Sequence, residues 1–144
     1  MKRFVTHAPE ETVALGKSFA ASLKPGDAVA LSGNLGSGKT LFVMGVCDGL
    51  GAQGHISSPT FTLINEYPAP FGVVAHIDLY RIRTRVELAE LGTDEYFNDR
   101  TVTLIEWGES IFDLLPAAHY RVKIEAGGLE RDREISIRSV GEKE

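Results

Sequence analysis

Apolar residues recur along this chain with two different periods. Leu15, Phe19 and Leu23 stand four apart, the spacing of one helical face. Pro9 with Glu10 and Glu11 supplies a start for that helix, because proline suits the first helical position and acids suit the positive end of the helix dipole. Lys24-Pro25-Gly26-Asp27 predicts a turn, and the short apolar run Ala28 to Ser32 predicts a buried strand. A glycine-rich loop covers Gly33 to Lys39. Thr40 to Leu50 then returns to a helical pattern through Leu41, Met44 and Leu50, with Gly51 placed to cap it.

Beyond a loop from Gly54 to Pro59, Phe61 to Tyr67 and Val73 to Leu79 read as strands about a turn bearing proline and glycine. Val86 to Leu91 predicts a short helix, and Thr101 to Trp107 a buried strand. His119 to Glu125 and Glu134 to Arg138 alternate about Gly127-Gly128 and predict a hairpin. Strands interleaved with helices give an α/β class with an antiparallel element at the C-terminal end.

Composition narrows the picture little. The chain has 144 residues, 43% hydrophobic and 24% charged, one domain's worth over 1–144 and an ordinary globular mix. No apolar run approaches the roughly 18 residues of a membrane span, and the start lacks the pattern of a signal peptide. Cys47 is the sole cysteine, so no internal disulfide forms; we expect a reducing cytosol, no membrane and no disulfide-linked partner. The net charge of -5 argues against a direct grip on nucleic acid, which takes a basic excess.

Gly33-Asn34-Leu35-Gly36-Ser37-Gly38-Lys39-Thr40 changes the picture most. It fits G-x-x-x-x-G-K-[ST] at every fixed position. Such a match arises by chance in a chain of this length in roughly one case in 200, and the apolar strand before it and helix after it are the context the motif requires. Glycines let backbone N–H groups approach phosphate, the helix start adds its positive dipole end, Lys39 reaches the β- and γ-phosphates, and the Thr40 hydroxyl suits Mg²⁺. No Asn-Lys-x-Asp tetrapeptide occurs, which favours ATP over GTP. The expected architecture is therefore a three-layer P-loop NTPase-type fold with a central mixed sheet, a parallel core and a C-terminal antiparallel hairpin.

Such a site needs a carboxylate at the end of a neighbouring strand. Asp78 and Glu106 both end apolar runs, and both sit at the ligand-binding edge if their strands run parallel to the P-loop strand. Alternation puts His76, Asp78 and Tyr80 on one face. His76 reads more simply as a packing residue than as a catalyst. Arg81, Arg83 and Arg85 suit phosphate or a partner, or a solvated segment.

Together these residues resemble the TsaE (YjeE) family of bacterial ATPases. The resemblance rests on the loop 33–40, Ser58-Pro59-Thr60-Phe61-Thr62-Leu63, His76-Ile77-Asp78-Leu79-Tyr80-Arg81, Glu106-Trp107, and the Leu-Gly pairs at 15–16 and 91–92. It implies a Mg²⁺-dependent ATPase that serves tRNA threonylcarbamoyladenosine biosynthesis beside a TsaB–TsaD complex and meets tRNA only indirectly. It further implies that Gly33, Leu35, Gly36, Ser37, Gly38, Lys39 and Thr40 hold the phosphates, that Thr40 and Glu106 hold the metal, and that Asp78 is metal-linked or positions water. Thr60 falls in a switch-like loop, while Thr12 and Trp107 fall near the nucleotide. One departure stands out: Asn34 replaces the family's usual Asp, and an amide cannot act as a general base.

Two other functions fit the residues. A small-molecule kinase would use the arginine cluster as a phosphate clamp, although the chain leaves little room for an acceptor pocket. A nucleotide-sensing module would keep Lys39 and Thr40 for binding and leave the acids idle.

Overall fold

The computed structural model describes residues 1–34, 38–54, 56 and 63–141. Seven strands form one mixed sheet. In chain order they are β1 (Lys2–Thr6), β2 (Ala28–Ser32), β3 (Ile64–Ala69), β4 (Gly72–Asp78), β5 (Thr101–Glu106), β6 (His119–Ala126) and β7 (Arg133–Val140). Helices α1 (Pro9–Ala20), α2 (Lys39–Leu50) and α3 (Arg85–Leu91) connect them. Short 3-10 turns follow at Thr93–Tyr96 and Gly108–Leu114.

The strand order is β1-β7-β6-β2-β5-β4-β3. β2 pairs parallel with both β5 and β6, and β5 pairs parallel with β4. The outer pairs β3–β4, β6–β7 and β1–β7 are antiparallel. The expected α/β class, parallel core and C-terminal hairpin are therefore present. β1 and the antiparallel edge strand β3 complete the mixed sheet.

Local chemistry accounts for the elements. α1 starts on Pro9 with Glu10 and Glu11 in its first turn, so acids offset the positive end of its dipole. α2 does the opposite: it starts on Gly38 with a left-handed φ of 105° and carries no acid in its first turn. Gly51, at φ 76°, ends α2, its N–H bonded to the Asp48 carbonyl. Thr84 and Glu87 form a reciprocal capping box that starts α3.

Each sheet face buries its own apolar layer. Val29, Leu31, Val74, Val102, Leu104, Val122 and Ile124 pack beneath α1 and α2 with Phe19, Phe42, Val43 and Val46. Ala28, Ala30, Ile77 and Ile105 face the other way, against Leu88 of α3 and Ile111. The result is three layers. α1 and α2 meet closely at Gly45: a methyl there would lie 2.8 Å from the Val13 carbonyl carbon and 3.0 Å from the Lys17 nitrogen.

Candidate functional site

Alternation along the three central parallel strands fixes what faces α2. Leu31 on β2, Glu106 on β5, and His76 and Asp78 on β4 belong to the same sheet face as the α1–α2 layer. Leu31 is in register with Glu106, and Glu106 with Asp78. The two acids are thus neighbours at the carboxyl ends of adjacent parallel strands, Glu106 on the strand next to β2 and Asp78 one strand further. Both are buried, as are Lys39 and His76.

Each of these groups has a defined partner. Lys39, in the first turn of α2, donates its ammonium to the Gly33 carbonyl, which closes the base of the loop. Its Nζ also lies 3.7 Å from the centre of the Trp107 ring, a cation–π contact. Asp78 Oδ1 accepts the Tyr80 backbone N–H at 2.9 Å. Glu106 Oε2 lies 2.6 Å from His76 Nε2. Thr40 is half-buried beside Lys39 in the same turn of α2.

Two non-glycine residues hold left-handed backbone, Leu63 at φ 69° and Trp107 at φ 63°. Each such residue costs about 1–2 kcal/mol, and both brace this edge. The Leu63 carbonyl accepts the Asp78 N–H at 2.8 Å, and the Trp107 N–H donates to the Leu31 carbonyl at 2.8 Å. Trp107 therefore leaves β5 by turning its ring over Lys39, where it also meets Tyr80 at 5.0 Å between ring centres. Tyr80 itself stands in the turn beyond β4, half exposed.

Thr12 lies on α1, with its hydroxyl 2.7 Å from that of Thr6. Its methyl is 4.0 Å from the point a Cβ on Gly38 would occupy, and Arg133 Nε is 3.9 Å from the same point. Thr12 joins Pro9, Leu41, Glu130, Arg131 and Arg133 around a cleft of about 200 Å³ at the start of α2. Sequence reasoning missed this 130–133 segment. Nothing local marks it, because only the strand order carries the β6–β7 loop back to the start of α2. The larger hollows, of about 640 and 460 Å³, lie over β1, β6 and β7 and include neither Lys39 nor either acid.

Leu35, Gly36, Ser37 and Thr60 fall outside the described residues, as do Phe61 and Thr62 at the start of the expected strand. Within the arginine cluster, Arg85 pairs with Asp113 at 3.2 Å, and the Arg83 backbone N–H donates to Glu87 at the start of α3. α3 packs on the sheet face opposite α2.

The residues suit a magnesium–nucleotide complex. Mg²⁺ bound to a nucleotide takes one or two protein ligands and completes its shell with phosphate oxygens and water. Among the described residues no group of three or more His, Cys, Asp or Glu converges on one point. The protein offers instead buried carboxylates and a hydroxyl beside a lysine and a helix start free of acids.

The sequence model of the threonylcarbamoyl adenosine biosynthesis protein TsaE matches residues 6–135. The chain is 43% identical over 133 residues to the tRNA threonylcarbamoyladenosine biosynthesis protein TsaE of Bacillus subtilis, covering 92% of this chain and 82% of that one. It is 38% identical over 132 residues to the protein of the same name from Haemophilus influenzae, covering 87% and 84%. The crystal structure of Bacillus subtilis YdiB superposes with a TM-score of 0.81 at 38% identity, covering 97% of this chain and 86% of that one. On sequence and fold together, the chain belongs to the TsaE family.

Proposed function

We propose that this protein binds and hydrolyses MgATP as an accessory component of tRNA threonylcarbamoyladenosine biosynthesis, acting with a TsaB–TsaD-type complex. One observation carries the reading: Glu106 and Asp78 stand side by side at the ends of parallel strands, on the sheet face covered by the helix that begins at Lys39. The names of the relatives supply the pathway.

In this reading the backbone around Gly33 to Gly38 and the acid-free start of α2 receive the phosphates. Lys39 leaves the Trp107 ring for the β- and γ-phosphate oxygens and offsets charge that develops there during transfer to water. The Thr40 hydroxyl and Glu106 hold Mg²⁺, which when bound neutralises phosphate charge. Asp78, held by the Tyr80 N–H, orients the attacking water. The cleft of Thr12, Leu41 and Arg133 adjoins the start of α2 and accommodates the nucleoside, and Thr60 senses the γ-phosphate. The net charge of -5 leaves tRNA to the partner, and turnover is slow until the partner binds.

The test is phosphate release from ATP with and without purified TsaB–TsaD. We expect slow basal turnover that the complex stimulates, and loss of turnover with retained nucleotide binding in Glu106→Ala or Asp78→Ala. Equal turnover with and without the complex counts against the coupled reading. Phosphate appearing on a metabolite instead of water would favour a kinase.

A further inference from the structure

His76 occupies an unusual place for a polar side chain. It faces the layer formed by Val74, Val102, Leu104 and Leu31, and it is fully buried. Its register partner is Leu104, so it reaches along the strand direction to meet Glu106, the partner of Asp78. Nε2 lies 2.6 Å from Glu106 Oε2. Nδ1 is buried and has no hydrogen-bond partner among the described residues.

That asymmetry assigns the proton. An N–H buried without an acceptor is rarer and costlier than a bare acceptor, so the hydrogen belongs on Nε2 and Nδ1 keeps its lone pair. The imidazole then has one polar contact, an N–H given to one oxygen of one carboxylate. A histidine serving only to fill space gains nothing over leucine here, since it buries two nitrogens and satisfies one. A histidine serving to hold Glu106 gains a fixed carboxylate, with Oε2 tied and Oε1 left to face a ligand. Carboxylates and imidazoles at metal sites are commonly held in this way by a second hydrogen-bonded group.

We propose that His76 is a positioning residue: its Nε2–H fixes the rotamer of Glu106 so that the free carboxylate oxygen meets the divalent ion of the bound nucleotide. The inference rests on the MgATP reading above. His76 touches neither nucleotide nor metal and acts only through Glu106.

Two variants separate this role from packing. The amide nitrogen of His76→Gln reaches about as far as Nε2, whereas that of His76→Asn stops near Nδ1. The measurement is Mn²⁺ affinity of the preformed ADP complex by electron paramagnetic resonance, beside ADP affinity in EDTA. His76→Asn should lose about 10–100-fold in Mn²⁺ affinity while ADP affinity in EDTA stays unchanged. His76→Gln should stay within about threefold of wild type, far short of the loss expected when such a contact is removed. On a Glu106→Gln background, His76→Asn should add no further loss.

A wild-type ADP complex that takes up no Mn²⁺ overturns the MgATP reading and this proposal with it. Normal uptake by wild type with equal retention, or equal loss, in the Gln and Asn variants overturns the role of His76 alone. If His76→Asn does not fold, His76→Gln decides: a loss beyond about tenfold, the onset of the range for a removed contact, refutes the proposal, and a loss within threefold supports it.

Discussion

Replacing Gly45 with alanine sets two physical effects against each other. In an isolated helix the change is favourable by about 1 kcal/mol, because alanine restricts the unfolded chain and suits the helix. In this fold the new methyl would overlap the Val13 carbonyl oxygen and sit 2.8 Å from the Val13 carbonyl carbon and 3.0 Å from the Lys17 nitrogen, all of it backbone. Carbon atoms pack at about 3.5–4.0 Å, so α1 and α2 must separate by about 1 Å. Overpacking of this kind costs up to about 3 kcal/mol, leaving a net loss of up to about 2 kcal/mol after the helical gain. For a chain of this size that lowers Tm by up to about 8 °C, measurable by calorimetry. Because α2 begins at Lys39, the shift also moves the phosphate site, and a displacement of about 1 Å lowers turnover by up to about 100-fold. Gly128→Ala is the control, since a methyl there meets nothing within 4 Å. A Tm for Gly45→Ala equal to or above wild type would refute the reasoning.

Three further outcomes follow from single residues. Trp107 is the only tryptophan and its ring carries the Lys39 ammonium at 3.7 Å, so saturating MgATP should change its emission; saturated binding with unchanged emission would show that Lys39 never leaves the ring. The hydrogen bond from His7 to Asp132 and the charge of Asp132 raise the His7 pKa above its usual 6.5, so this pair stabilises the fold fully below about pH 6.5 and loses its effect as pH rises through the folded value. Asp132→Asn should therefore lower the His7 pKa in an NMR titration and reduce Tm at pH 6 more than at pH 8; an unmoved His7 titration would sink the pairing. Burial pushes the Cys47 thiol up to about 12, so the native protein should resist a thiol-specific disulfide reagent at pH 8 until it unfolds; native labelling as fast as a free thiol would contradict its burial.

The parts legible from sequence are those whose cause is local. β2 spans Ala28–Ser32 as its apolar run indicates, α1 starts on Pro9, and α3 runs Arg85–Leu91, one residue longer than the expected Val86 to Leu91. Trp107 was expected to end its strand, yet β5 stops at Glu106 because Trp107 turns left-handed, a conformation that its side chain gives no reason to expect. β1 is not legible in the sequence, since Lys-Arg-Phe-Val-Thr alternates weakly and its partner β7 lies at the other end of the chain. His76 read as packing for the same reason. Strand alternation puts it beside Asp78, but only the β4–β5 register brings it to Glu106. The cleft residues Glu130, Arg131 and Arg133 likewise need the order β1-β7-β6-β2 before they come near Thr12.

Stability alone does not explain the sheet edge beneath α2. The face that carries Val74, Val102 and Leu104 ends in His76, Asp78 and Glu106, all buried, with a buried lysine at the start of the helix above. Apolar residues would pack that layer without desolvating charge. Two carboxylates in register on neighbouring strands also repel, which a structural role gives no reason to accept. The arrangement holds because the Tyr80 amide ties Asp78 and His76 ties Glu106, while the Lys39 ammonium rests over the Trp107 ring. A site built this way places charge where a polyanion and its metal would need it, at a cost borne by the α1–α2 seam and the two apolar layers.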